Sequence, residues 1–120
     1  MAANGFCWTI DVADSDVPYR IDTPTGPLAG VPFTMEVNDL PLYTRYGNTP
    51  QNYSDIVAGV LDRYATIGSP PMIMDITAHA HVFGHPTGAI EYRAAIEMVR
   101  DCDFVWMTDH ETLANTVLEG

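Results

Sequence analysis

The chain has 120 residues, of which 47% are hydrophobic and 18% charged, and these values indicate one globular domain with a core of its own. Its 16 acidic residues against 5 basic ones give a formal net charge of −11, which disfavours binding to nucleic acids or anionic membranes because such a surface repels phosphate. The sequence lacks both an apolar window of the roughly 20 residues that a membrane span needs and a signal-peptide pattern, so we predict a soluble, cytoplasmic protein. Cys7 and Cys102 lie far apart and are predicted to be free thiols.

The first half of the chain predicts two short strands separated by turns. Residues 6–12 are rich in aromatic and β-branched side chains, as strands are, and the Asp, Ser and Pro within residues 14–19 then favour a turn. A second strand is predicted at residues 28–34. Residues 36–50 show no clear period, and a loop of this length in a compact domain is more often a lid or a binding loop than a simple connection.

The second half alternates between helices and strands. A helix is predicted from residue 52, because apolar residues recur there at steps of three and four and form one face: Tyr53, Ile56, Val57, Val60, Leu61 and Tyr64. Apolar strands are predicted at 71–78 and 103–107, with a helix at 89–100 between them. This alternation predicts parallel strands covered by helices. Because so few strands cannot close a barrel, the chain is predicted to be part of a larger α/β barrel.

A last helix is predicted near the C-terminus, where Thr108 or Asp109 would act as its N-cap. Glu111 is spaced three residues after Thr108, which is the spacing of a capping box.

Three of the four histidines, His79, His81 and His85, follow the predicted strand 71–78 directly. In proteins with parallel strands, this end of a strand is where binding and catalytic residues usually lie. If β geometry continues past residue 78, His79 and His81 share a face and could bind zinc or a similar ion together with His85. If the strand ends there, the rings diverge.

Four groups of short motifs follow one another along the chain. They are Trp-Thr-Ile-Asp with Asp-Ser-Asp-Val-Pro-Tyr at 8–19, Val-Pro-Phe-Thr-Met-Glu-Val-Asn-Asp at 31–39, His-Ala-His with Gly-His-Pro at 79–86, and Phe-Val-Trp-Met-Thr with Glu-Thr-Leu-Ala at 104–114. In this order they resemble the C-terminal half of the polysaccharide deacetylase (NodB-homology) family, particularly its branch of allantoinases and peptidoglycan deacetylase-like proteins. The resemblance covers nearly the whole chain.

This resemblance implies an α/β fold that is the C-terminal portion of a deformed (β/α) barrel of the NodB type. Residues 1–120 would form a partial domain whose N-terminal, metal-binding half is absent. The family builds its metal site from an Asp-Asp motif and a His-x-x-x-His motif in that half, whereas this sequence has no Asp-Asp pair and has the histidine spacing only at His81 and His85. Most of the family uses zinc or a similar divalent metal and the allantoinase branch is thought to work without one, so we expect this chain alone to bind none.

The activity that the resemblance implies is hydrolysis of non-peptide carbon–nitrogen bonds, as in N-acetylated sugars or related small amides. In such enzymes a histidine protonates the leaving nitrogen, a task that suits a group whose pKa lies near neutrality. By resemblance His79 is this general acid, and Asp11 or Asp16 would orient its imidazole. The structural alternatives are a hydrogen-bonded histidine at a barrel mouth and carboxylates that serve as turn or cap residues. The isolated chain is expected to be inactive.

Further residues are candidates for contacts with the substrate. Trp8 could line a sugar or ureide pocket, although aromatic residues in barrel strands are more often part of the core. Asp16, Asn38, Asp39 and His81 are the candidates for polar contacts.

Two other functions remain open at this point. The chain could be a non-catalytic, truncated module that folds by forming a homo-oligomer or by pairing with a complementary N-terminal half, since an open barrel exposes strand edges. Alternatively, it could be a His-x-His metal-binding module.

Overall fold

The computed structural model describes residues 1–68 and 70–120, which form two compact units. The first unit comprises Met1–Phe33, Pro71–Asp75 and Thr108–Gly120, and the second comprises Thr34–Pro70 and Ile76–Met107. Over the described residues, no helix is both long and apolar enough to cross a membrane.

A three-stranded sheet with the order β1-β3-β2 lies in the first unit. Its strands are β1 (Trp8–Thr9), β2 (Tyr19–Thr23) and β3 (Gly26–Gly30). β1 runs parallel to β3 with Trp8 opposite Ala29, and β2 runs antiparallel to β3 with Tyr19 opposite Gly30. The chain is thus a mixed α/β protein, as predicted, but its sheet combines both kinds of pairing.

Strand β2 begins at the end of the predicted turn 14–19, in a region where the sequence analysis predicted no strand. Its side chains alternate between half-buried and exposed positions, because one face of the strand packs and the other meets solvent. Pro24 and Thr25 form the tight connection between β2 and β3, and there the Thr23 hydroxyl donates to the Gly26 carbonyl at 2.6 Å. Proline is accepted at Pro27 because β1 pairs only with Ala29 and Gly30, which leaves this end of β3 at an edge.

Helix α3 (His110–Glu119) packs against β3 and buries Ala114 in the first unit. Asp109 is its N-cap, and the Asp109 carboxylate accepts a hydrogen bond from the Thr112 backbone N–H at 2.7 Å. That hydrogen bond holds the pKa of Asp109 below its usual value. Of the two predicted caps, Asp109 is therefore the one used, and the capping box between Thr108 and Glu111 does not form because the helix begins one residue later.

Two helices, α1 (Gln51–Ile67) and α2 (Pro86–Arg100), pack together in the second unit. The predicted apolar face of α1 is confirmed at Tyr53 and Val57, which are fully buried. The Ser54 hydroxyl, also buried, donates to Glu91 of α2 at 2.5 Å. α2 begins three residues earlier than predicted, because a proline at the first position fits the helical backbone.

The prediction of regular strands at 71–78 and 103–107 is wrong. In the described part of the chain, the first segment forms a single parallel bridge, between Asn38 and Thr77, and the second has no strand. An apolar run becomes a strand only where a neighbouring segment offers its backbone groups along the whole length. Here Thr77 N–H donates to the Val37 carbonyl at 3.1 Å and Asp39 N–H to the Thr77 carbonyl at 3.4 Å, and the ladder ends.

Candidate functional site

The side chains of Asp39 and His79 form a hydrogen-bonded pair in the second unit. The Asp39 side chain has 0% exposure, whereas 33% of the His79 side chain is exposed. The two side chains are joined by a hydrogen bond of 2.7 Å between His79 Nδ1 and Asp39 Oδ1. Since an ionised carboxylate only accepts hydrogen bonds, Nδ1 carries the proton in this contact. The Nε2 atom has no hydrogen-bond partner among the described residues.

The other carboxylate oxygen of Asp39 binds the backbone around the histidine. Asp39 Oδ2 accepts hydrogen bonds from the backbone N–H of His79 at 2.8 Å and from that of Phe83 at 3.2 Å. A buried carboxylate is costly unless hydrogen bonds replace its hydration, and these three donors do so. The carboxylate therefore fixes both the ring of His79 and the turn that follows it.

The bridge between Asn38 and Thr77 explains why the two side chains meet. Because the two segments run parallel at this bridge, Asp39 and His79 both follow it on the same side. Asp39 also immediately precedes a π-helix at Leu40–Arg45, within the predicted loop. The Asn38 side chain is buried and accepts a hydrogen bond from the Leu40 backbone N–H at 3.1 Å, which supports the turn of the chain there.

A tight turn follows His79 and brings the backbone N–H of Phe83 to the Asp39 carboxylate. The His79 carbonyl accepts hydrogen bonds from the backbone N–H groups of Val82 and Phe83, both at 2.9 Å. Gly84 closes this turn, since a Cβ atom there would lie 2.0 Å from the Ala80 carbonyl oxygen. The Phe83 ring is buried, with its centroid 5.1 Å from that of Tyr53. The turn is thus anchored at Phe83 by packing and by the Asp39 hydrogen bond.

The remaining histidines of the motif lie at the surface of the second unit. The His81 side chain is exposed and its ring lies edge-on to that of His79, with centroids 5.6 Å apart. His85 is exposed at the N-cap of α2 and makes no side-chain capping bond. Within the described residues, no group of three or more His, Cys, Asp or Glu side chains is arranged to hold a metal ion. These side chains do not fit a metal centre.

Three predicted site residues belong to the first unit. The Trp8 ring stacks on that of His110, with centroids 4.9 Å apart and an interplanar angle of 16°. Asp11 is exposed, and its backbone N–H donates to the Thr9 hydroxyl at 3.2 Å. Asp16 is exposed, and its carbonyl accepts a hydrogen bond from the Ile73 backbone N–H at 2.8 Å. The second unit brings together the others, namely Asn38, Asp39, His79 and His81.

The sequence did not identify Asp39 as the partner of the histidine, and it did not identify the role of the Phe83 backbone. One signal was available, because Asp39 and His79 each follow a largely apolar stretch, at 28–37 and 71–78. Parallel segments end at the same edge, so such residues are candidates for contact. The register that brings these two together could not be read from the sequence, since a bridge of one residue pair leaves no pattern.

The comparison of sequences finds no match: neither a protein-family model nor a curated protein matches this chain.

The comparison of structures confirms the resemblance to polysaccharide deacetylases and allantoinases. Over 92% of this chain, the fold is similar to that of a protein assigned as a polysaccharide deacetylase from Pseudomonas aeruginosa PAO1, with a TM-score of 0.79 at 23% identity. It is also similar to Puue allantoinase, with a TM-score of 0.79 at 26% identity over 92% of the chain. A protein assigned as a polysaccharide deacetylase from Mycobacterium smegmatis matches over 97% of the chain, with a TM-score of 0.76 at 26% identity.

This chain is much shorter than the structures that it resembles. It spans 38% of the length of the first two and 42% of the third.

Proposed function

We propose that the chain carries the acid-donating part of a hydrolase that acts on non-peptide carbon–nitrogen bonds, with His79 as the general acid. The observation that carries this proposal is the His79 imidazole, which is held at Nδ1 by a wholly buried carboxylate while part of the side chain remains exposed. The structural neighbours support the reaction class, since they are polysaccharide deacetylases and an allantoinase.

The chemistry of the proposal follows from the leaving group. When water adds to an amide carbonyl, the carbon–nitrogen bond breaks only if the nitrogen gains a proton, because an amide anion is a poor leaving group. Protonated His79 donates this proton from Nε2 and becomes neutral. Nδ1 keeps its own proton and its hydrogen bond to Asp39 throughout. A general acid placed in this way accelerates such a step by roughly 10²- to 10⁴-fold.

The activation of the attacking water is assigned to a different part of the protein in this proposal. The described residues bring no metal-ligating cluster together, and the chain spans only 38–42% of its structural neighbours. We therefore propose that a complementary N-terminal half supplies the group that activates water and completes a deformed (β/α) barrel, in which its strands would pair with the apolar segments at 71–78 and 103–107.

The substrate class in this proposal is a small amide or an N-acetylated sugar. His81 is the favoured substrate contact, because its exposed ring adjoins that of His79. The roles that the sequence suggested for Trp8, Asp11 and Asp16 stay predictions. Asn38 is a weaker candidate, since its amide oxygen already binds the Leu40 backbone.

The experiment that tests the proposal is an assay of the chain alone and together with a complementary N-terminal half, with acetylated chito-oligosaccharides and allantoin as substrates and with metal content measured in parallel. His79→Ala should lower kcat by about 10²- to 10⁴-fold, as expected for loss of a general acid. His85→Ala is the matched control and should leave kcat within a few-fold. Equal activity of His79→Ala and the unmodified chain would contradict the proposal.

A second candidate function, a module that associates with another chain, is favoured by exposed apolar side chains in the second unit. Phe104, Trp106 and Met107 are 52%, 59% and 54% exposed, and they lie in the segment predicted as a strand. Apolar side chains clustered along an extended segment commonly mark an interface. Light scattering coupled to gel filtration tests this: a dimer or larger species favours the module, and a monomer at all concentrations argues against it.

A further inference from the structure

We infer that Tyr43 is a substrate-binding residue, which packs against the sugar ring next to the N-acetylated ring that reacts at His79. The inference rests on the proposed function and narrows its substrate class from small amides in general to N-acetylated oligosaccharides. The sequence predicted a lid or a binding loop at residues 36–50, and Tyr43 lies within it, in the π-helix Leu40–Arg45.

The π-helix sets the direction of the Tyr43 side chain. It begins directly after Asp39, whose backbone is already helical with φ −60° and ψ −35°. Because its hydrogen bonds join residues five apart, as from the Tyr46 N–H to the Pro41 carbonyl at 3.0 Å, one turn takes roughly four to five residues. Tyr43 is four residues after Asp39 and therefore lies about one turn further along the same face of the helix.

A contact with Phe83 places Tyr43 against the turn that carries His79. The two aromatic rings meet edge to face, with centroids 6.3 Å apart and an interplanar angle of 63°. The Phe83 backbone N–H binds both the His79 carbonyl at 2.9 Å and the Asp39 carboxylate at 3.2 Å. The helix face and the ring contact therefore agree in placing Tyr43 on the side of the second unit where His79 lies.

Tyr43 is open to a ligand, although it packs against a buried ring. It is 43% exposed, whereas Phe83 is 4% exposed. Its hydroxyl makes no hydrogen bond to another described residue. Four of the other five tyrosine hydroxyls bind a protein acceptor, namely those of Tyr19, Tyr53, Tyr64 and Tyr92. Both the ring and the hydroxyl of Tyr43 are thus available for binding.

The backbone beside Tyr43 is held in place, so the ring is positioned before a ligand arrives. The Leu42 N–H donates to the Asn38 carbonyl at 3.2 Å. The Leu42 carbonyl accepts hydrogen bonds from the backbone N–H and the side-chain amide of Asn48, both at 3.1 Å. Groups that are ordered in advance lose less conformational entropy on binding. The segment therefore suits a fixed contact surface better than a lid that moves.

A half-exposed tyrosine with a free hydroxyl suits a sugar ring. The C–H groups on one face of a pyranose pack on an aromatic ring, and the sugar hydroxyls can bond to the tyrosine hydroxyl. An uncharged sugar also meets no repulsion from the net charge of −11.

The separation of Tyr43 from His79 favours an oligosaccharide over a smaller substrate. The Tyr43 ring contacts Phe83, whereas the His79 ring contacts His81. A ligand that occupies both positions must therefore extend from one to the other. An oligosaccharide does so with one ring at Tyr43 and the neighbouring ring at His79, whereas allantoin offers a single small ring.

The test is a titration of the ¹⁵N-labelled chain with acetylated chitotriose, followed by ¹H–¹⁵N chemical shifts, which also show whether each variant is folded. We expect Tyr43→Ala to weaken binding by about ten-fold, because it removes the ring and the hydroxyl. Tyr43→Phe should weaken it by about three-fold, because only the hydroxyl is lost. This second variant keeps the ring against Phe83, so it decides the matter if the alanine variant does not fold.

Tyr46→Ala is the matched control, since Tyr46 directly follows the π-helix and is 69% exposed but does not contact Phe83. It should leave the Kd for chitotriose within about two-fold, as expected for a residue outside the site. The inference is overturned by unchanged affinity in the folded Tyr43 variants, by an equal loss in Tyr46→Ala, or by no binding of chitotriose at millimolar concentrations.

Two comparisons separate this inference from the proposed function. Allantoin should bind no more weakly to Tyr43→Ala than to the unmodified chain, and a loss as large as that for chitotriose would overturn the assignment to an oligosaccharide. Loss of chitotriose binding in Tyr43→Ala together with full kcat in His79→Ala would contradict the general acid and leave the sugar contact in place. The reverse pattern would contradict the role of Tyr43 alone.

Discussion

Two histidine–carboxylate pairs lie in different units of this molecule and have different geometry. In the second unit, His79 and Asp39 are 2.7 Å apart and the carboxylate has 0% exposure. In the first unit, His110 Nε2 lies 3.9 Å from Asp75 Oδ1, which is beyond hydrogen-bonding distance, and the His110 ring stacks on Trp8. The same two residue types therefore form a fixed pair in one place and a loose contact in the other.

The backbone explains this difference. Asp39 binds the backbone N–H groups of His79 and Phe83 as well as the ring, so its position does not depend on the imidazole alone. His110 is the first residue of α3, and its position is set by the capped helix and by the stack on Trp8. Proximity of a histidine and a carboxylate is thus a weak sign of a chemical role, whereas a carboxylate anchored by backbone donors is a stronger one.

The largest expected effect comes from removing the two carboxylates. Asp39→Ala should lower the free energy of unfolding by about 3 kcal/mol, because it leaves the backbone N–H groups of Phe83 and His79 and the His79 ring without their acceptor. In a double-mutant cycle of Asp75→Ala and His110→Ala, the contact between the two side chains should contribute about 1 kcal/mol or less, since it is long and partly exposed. Urea denaturation followed by circular dichroism measures both free energies, and equal values would show that the two histidine–carboxylate pairs do not differ in strength.

A substitution in the turn after His79 tests whether the backbone of this turn holds Asp39 and His79 together. Gly84→Ala should lower the free energy of unfolding by about 2 kcal/mol, since the added Cβ meets the Ala80 carbonyl oxygen and the turn must open. Gly59→Ala on α1 is the control: a Cβ there meets open space, so the helix should gain about 0.5–1 kcal/mol. The same urea denaturation measures both free energies of unfolding. If Gly84→Ala were as stable as the unmodified chain, the turn would not be what holds Asp39 and His79 together.

Removing the two histidines should produce smaller effects. His79→Ala takes from the buried Asp39 carboxylate one of its three donors, which should cost about 1–2 kcal/mol. His110→Ala removes the stack on Trp8 and should cost about 0.5–1.5 kcal/mol. Thermal unfolding with tryptophan fluorescence follows both, and only His110→Ala should change the emission of Trp8. A shift of that emission in His79→Ala would contradict this expectation.

The smallest effect is a dependence of α3 on pH. The folded-state pKa of Asp109 is held below its usual value by the hydrogen bond from Thr112, so its contribution to stability is complete above the unfolded-state pKa. The contribution is lost as the pH falls through the lowered pKa of the folded state. Far-UV circular dichroism should show less helix in that acidic window, and Asp109→Asn should reduce the pH dependence. An unchanged titration in the variant would exclude the cap as its cause.

The sequence predicted the helices better than the strands. The apolar period of α1 and the polar residue before α3 are local signals, because side chains three and four residues apart share a helix face and a cap binds its own helix. β2 was missed, and the segments at 71–78 and 103–107 were predicted as strands that do not form. Whether a segment becomes a strand depends on what lies beside it, which no local pattern contains.

For the candidate site, the sequence by itself determined that His79 follows an apolar segment at an edge where functional residues lie, and its motif order identified the deacetylase-like fold that the structural comparisons confirm. Only the tertiary structure decided which carboxylate meets the histidine. Asp39 and His79 are separated by 40 residues, and a single parallel bridge between Asn38 and Thr77 sets their register. The sequence specifies the two residue types. The distance between Asp39 and His79, however, depends on how two segments remote in sequence align, and that alignment results from packing in the folded state.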